Sequence, residues 1–206
     1  MRKNVIISGI ALTSAVILGA CSSNDSMSGM DHSSSAPAPA PSTQAAAGHN
    51  ADDVTFAQQM VPHHSQALDM AKLVPSRSTN PKVLDLASRI EKAQDPEIQQ
   101  MQTWLTTWGA GMSGMPGMTH ESMPGMSGSM PGMMSDADMK KLEGTKGAEF
   151  DKMWLDMMIK HHQGAVDMAK TELSKGGNAD AKALAQKIID GQQAEITEMQ
   201  GLLTQS

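Results

Sequence analysis

Tyrosine is absent from this 206-residue chain, which has only two phenylalanines and three tryptophans. A core so short of aromatics must be filled by Leu, Ile, Ala and Met, as helical bundles are. Cysteine occurs once, at Cys21, so no internal disulfide can form. Basic clusters are also missing. With 16 Lys and Arg against 22 Asp and Glu the formal net charge is −6, which argues against nucleic acid as a partner. Long apolar runs are lacking too. The one at residues 5–18 is too short to sit comfortably as a permanent membrane span.

That short run, preceded by Arg2 and Lys3, reads instead as a secretory signal over residues 1–20. Leu18-Gly19-Ala20-Cys21 resembles the lipobox of bacterial lipoproteins, in which the cysteine is acylated and becomes the mature N-terminus. The expectation is a mature protein outside the cytoplasm, on the periplasmic or cell-surface side of a bacterial membrane, anchored by lipid at Cys21. Loss of Arg2 and Lys3 takes the net charge to about −8.

Methionine is abundant, at twenty residues, and it concentrates in two kinds of place. One is low-complexity sequence. Residues 21–51 are mostly Ser, Ala, Pro, Gly and Asn and read as a flexible tether, with Met27, Met30 and His32 in it. Residues 109–135 are Gly, Met, Pro and Ser, carrying Met112, Met115, Met118, His120, Met123, Met126, Met130, Met133 and Met134. Thioethers spaced by Gly, Ser and Pro with no apolar periodicity have no core to fill. They suit capture of a soft ion, Cu(I) before others, with Ag(I) as its chemical mimic.

The other place is a repeat. Residues 53–105 align with 151–203 at a constant offset of 98 without a gap. Met60 falls on Met158, His63-His64 on His161-His162, Met70 on Met168, Gln94 on Gln192 and Glu97 on Glu195. Each copy reads as a helical hairpin. Asp52 or Asp53 is expected to cap the first helix, Pro75 to end it, and the second helix to span 81–107 with a kink at Pro96. One hairpin cannot bury its own apolar stripe, so two must cover each other. The predicted fold is all-α, a four-helix bundle built from two duplicated hairpins over residues 52–206.

On a helix, Phe56, Met60, His63, Ala67 and Met70 share a narrow stripe, with His64 about 100° away. His63 and His161 are therefore expected to point inward, and His64 and His162 towards the bundle's edge. The candidate metal ligands are His63, His64, His161, His162, Met60, Met158, Met70, Met168, Glu97 and Glu195. Ferritin-like di-iron bundles carry Glu-x-x-His on two helices and a single Glu on each of the others. Here Met replaces the Glu of that motif in both copies. A thioether in place of a carboxylate favours Cu(I) over iron.

The run from Phe56 through Met60, His63-His64, Ala67 and Met70-Ala71, and its echo from Trp154 to Ala169, resemble the bacterial domain of unknown function family numbered 305. The resemblance extends from Asp52 to the end of the chain and implies a ferritin-like bundle. Its relatives include periplasmic copper-binding proteins. The expected function is a non-enzymatic extracytoplasmic copper-binding protein that buffers Cu(I), confers tolerance or passes the ion to a transfer protein. The competing readings are a ferritin-like di-metal oxidase using Glu97 and Glu195 with the histidines, and a metal-free envelope protein.

Overall fold

The computed structural model describes residues 48–111 and 130–204. These form helices α1 (Ala51–Arg77), α2 (Pro81–Thr107), α3 (Asp136–Glu143), α4 (Gly147–Lys175) and α5 (Ala179–Leu203). No strand occurs among the described residues, and none of the described helices is long and apolar enough to cross a membrane. Four long helices arranged as two hairpins are what the duplication predicts. Cys21 and the loop residues Met112, Met115, Met118, His120, Met123 and Met126 lie outside the described residues.

Helix ends differ from the expectation in instructive ways. The cap of α1 is Asn50, whose side chain accepts from the backbone N–H groups of Asp52 and Asp53, while Asp53 accepts back from Asn50 N–H. Asp53 is thus the third helical residue of a capping box, not the cap itself. The α1 helix also continues two residues past Pro75 and contains Pro62, and α2 runs uninterrupted through Pro96. The turns between helices end on Asn80 and Asn178, the same position in the two copies, and each caps the helix that follows. The short α3, opened by a Ser135–Asp138 capping box, was not anticipated.

The helices in most extensive contact are α4 with α5, then α1 with α2, then α1 with α4. The inner pair α1 and α4 run antiparallel. The Trp154 indole N–H donates to Met70 O at 3.0 Å near one end. At the other end Asp53 accepts from Gly177 N–H and Asn178 N–H, each at 2.9 Å. The Asn50 amide donates to Lys175 O beside them.

Apolar packing falls into two clusters. One contains Met70, Val74, Leu86, Ile90, Phe150, Trp154, Met158 and Met199. The other contains Phe56, Met60, Met101, Leu105, Ala165, Met168, Leu184 and Ile188. On every long helix the stretch between the two clusters carries two polar side chains at matching positions of the repeat. They are His63 and His64 on α1, Gln94 and Glu97 on α2, His161 and His162 on α4, and Gln192 and Glu195 on α5. The duplication therefore builds a polar waist through the middle of a bundle whose two halves are greasy.

Candidate metal centre

Antiparallel packing of α1 against α4 brings the first histidine of each pair together. The His63 and His161 rings lie 3.7 Å apart between centroids, tilted by 37°. Both are fully buried, as the stripe geometry predicts. His64 and His162 are fully buried as well, which corrects their expected place at the edge of the bundle. The 100° offset turns each towards its own hairpin partner, so the neighbouring helix and not solvent receives it. The His64 Nε2–H donates to Glu97 Oε2 at 3.0 Å, and the His162 Nε2–H donates to Glu195 Oε2 at 2.7 Å. Lys187 also pairs with Glu97, at 3.2 Å.

Glu97 and Glu195 are therefore engaged with imidazoles and sit behind them. Among the described residues no group of three or more His, Cys, Asp or Glu side chains is placed to hold a metal ion together. An ion in this waist would need thioether donors to complete its coordination. Met60 and Met70 flank His63 along α1 as Met158 and Met168 flank His161 along α4, one of each pair in either apolar cluster. Met60, Met70 and Met158 are fully buried and Met168 nearly so. Of the loop methionines, Met130 and Met133 are half-buried. Met134 packs into the first apolar cluster, so at that position a methionine expected to be free of the core belongs to it.

The waist is rich in polar atoms without partners. His63, His64 and His162 each retain a buried Nδ1 with no hydrogen bond, and neither ring nitrogen of His161 has one. Both amide atoms of Gln94 and of Gln192 are equally unpartnered. Leaving one such group unpaired costs about 1–3 kcal/mol, so proteins seldom tolerate several in one layer. A bound ion is one remedy, and these donor types fit it. Burial, helped by the neighbouring imidazole of His64, pushes His63 down to about 3. Burial and the imidazole of His63 hold His161 well below its ordinary value. Burial lowers His162 too, against the pull of Glu195. These imidazoles are neutral at physiological pH, the form in which a ring nitrogen binds metal.

A cleft of about 230 Å³ is lined by Asp52, Gln59, Phe56, Pro131, Asp167, Met168 and Glu172 among others. Glu172 is 1% exposed, and its counterpart in the first copy is Val74. Burial and the adjacent Asp53 carboxylate push Glu172 up to about 8. Asp53 is held below its usual value despite burial, by the Glu172 carboxyl beside it and by hydrogen bonds from the Asn178, Asn50 and Gly177 backbone N–H groups. Sequence reasoning passed over this pair, although a Glu facing a Val across the repeat was a visible signal.

Residues 53–203 match the family described as Domain of unknown function (DUF305). The chain belongs to this family. A DUF305 protein of Streptomyces coelicolor whose name calls it secreted is 34% identical, with a TM-score of 0.65 over 75% of this chain and 93% of that one. CopM in its Cu(I)-bound form is 29% identical, with a TM-score of 0.59 over 74% of this chain and 96% of that one. CopM is also known in Cu(II)-bound, Ag-bound and apo forms. A stretch of 54 residues is 37% identical to Uncharacterized protein L153 of Acanthamoeba polyphaga mimivirus, spanning 26% of this chain and only 36% of that protein. Both members of the inner histidine pair fall within the part of the chain that defines its DUF305 membership.

Proposed function

We propose that this DUF305 protein is an extracytoplasmic copper-binding protein, not an enzyme, that takes Cu(I) at the polar waist and buffers it or passes it to a transfer protein. The carrying observation is the layer of buried, unpartnered imidazole nitrogens between thioether side chains. Imidazole serves several metals, and thioethers beside it tilt the choice towards Cu(I) over a hard ion. The likeness to CopM, a protein that holds Cu(I), Cu(II) and Ag, supports the same choice. The proposed ligands are His63 and His161 at the centre, then His64 and His162, with Met60, Met70, Met158 and Met168 available on either side. Glu97 and Glu195 orient His64 and His162 through the Nε2–H hydrogen bonds. Thioethers standing where a di-iron motif has carboxylates weigh against a di-metal oxidase.

The thioethers of residues 109–135 serve as an auxiliary collector of Cu(I). Lipid attachment at Cys21 would keep the protein at the outer side of a membrane, and the secreted Streptomyces relative is consistent with that location. The test is anaerobic Cu(I) titration of the mature chain against His63→Ala/His161→Ala. The double variant should lose tight binding while its helical circular dichroism persists. Undiminished binding in that variant would remove the waist from the account.

A further inference from the structure

Residues 130–134 cross the outside of the inner helix pair, and the chain is shaped on both sides to hold them. The Gln66 amide donates to Met134 O at 2.9 Å and its oxygen accepts from Met134 N–H at 2.8 Å. Across the groove, a Cβ on Gly164 would fall 1.9 Å from Pro131 O, so only glycine admits the segment there. Gly132 adopts φ +78°, and a Cβ on it would lie 2.5 Å from Lys160 O. Gln66 and Gly164 are the same position in the two copies, three residues after the first histidine of each pair. The copies have diverged at that position into a clasp on one side and a notch on the other.

Seated this way, Pro131 O accepts a hydrogen bond from His63 Nε2 at 3.0 Å. A carbonyl oxygen can only accept, so the proton of His63 sits on Nε2 and its lone pair on Nδ1. That Nδ1 is buried and unpartnered. His64 and His162 show the same pattern, with carboxylates in place of the carbonyl. Imidazoles that bind metal typically donate their other N–H to a carboxylate or backbone carbonyl, which fixes tautomer and ring orientation.

We propose that residues 130–134 are a positioning strap: the Pro131 carbonyl holds His63 in the tautomer that offers Nδ1 to a soft monovalent cation. This rests on the copper-binding reading of the waist. It also couples the methionine-rich segment to the buried centre, because the strap is the end of that segment. Coupling of this kind is reciprocal. If a seated strap tightens cation binding, a bound cation must tighten the seating of the strap by the same factor.

The experiment uses the full mature chain with Gly164→Ala, which unseats the strap by collision, and Gln66→Ala, which only removes its clasp. Circular dichroism of both variants establishes that the helices remain, and Gln66→Ala carries the test if Gly164→Ala misfolds. In the metal-free proteins, 15N NMR of the imidazoles reads the His63 tautomer directly. The wild type should hold the Nε2–H form, and the variants should populate Nδ1–H. Ag(I), used as the probe ion, should bind about tenfold more weakly to the variants, the low end of the loss when a metal-bound histidine loses its orienting partner. An unchanged tautomer in a variant whose strap is released, or Ag(I) bound as tightly or more tightly, would overturn the proposal. If the wild type takes up no Ag(I), the copper reading fails while the NMR result still decides what the strap does to His63.

Discussion

Most residues of the centre come in pairs, and the exceptions show what each copy was modified to do. Glu172 stands where the first copy has Val74, buried against Asp53 at the junction of α1 with the α4–α5 turn. In the unfolded chain a Glu ionises near 4.5, whereas here its proton is held up to about 8. The folded state therefore binds the extra proton, and its contribution to stability is complete below about 4.5 and lost as pH rises through about 8. Glu172→Val should flatten the stability profile across that window and raise stability at its alkaline end. Thermal melts of both proteins over the window check this, and parallel profiles would exclude Glu172 as the titrating group. The same scale shows where sequence reasoning stopped short. The repeat and the stripe placed His63 and His161 correctly, because an inward stripe is a property of one helix. The burial of His64 and His162 depends on which helix lies alongside, and periodicity within a single helix does not contain that.

At the scale of elements, boundaries were more legible than connections. The span expected for α2, residues 81–107, is that of the observed helix. Pro75 misled: it is exposed, and α1 runs on past it to Arg77. The helix α3 and the strap before it were invisible. Their sequence looks like the tail of a low-complexity loop, and only the groove between α1 and α4 gives Pro131, Gly132 and Met134 somewhere to dock. The waist that interrupts every long helix implies a cost in stability for the sake of binding. Gln94 and Gln192 show it most plainly, each nearly fully buried with both amide atoms unpartnered. Gln94→Leu combined with Gln192→Leu should stabilise the metal-free protein by about 1–3 kcal/mol in urea unfolding, since apolar groups there have no hydrogen bonds to miss. Destabilisation would mean that these amides make bonds through ordered water.

For the molecule as a whole, two apolar clusters joined across a polar layer make folding and ion binding one linked equilibrium. An ion that binds only the folded bundle adds RT ln(1 + [L]/Kd) to its stability, about 2.7 kcal/mol at a hundredfold excess over Kd. Ag(I) or Cu(I) should therefore raise the unfolding temperature of the mature chain, and Mg²⁺, a hard ion for which the described residues form no carboxylate cage, should not. A rise with Mg²⁺ as large as with Ag(I) would point to general charge neutralisation of an acidic protein. The most direct test of the central claim removes the competing thioethers outright. A chain lacking residues 112–129, which keeps the waist and the strap, is loaded anaerobically with Cu(I), and its copper environment is read by X-ray absorption. The account predicts tightly held copper whose spectrum shows imidazole nitrogen together with sulfur. Copper bound by sulfur alone, or not retained once that loop is gone, would contradict it.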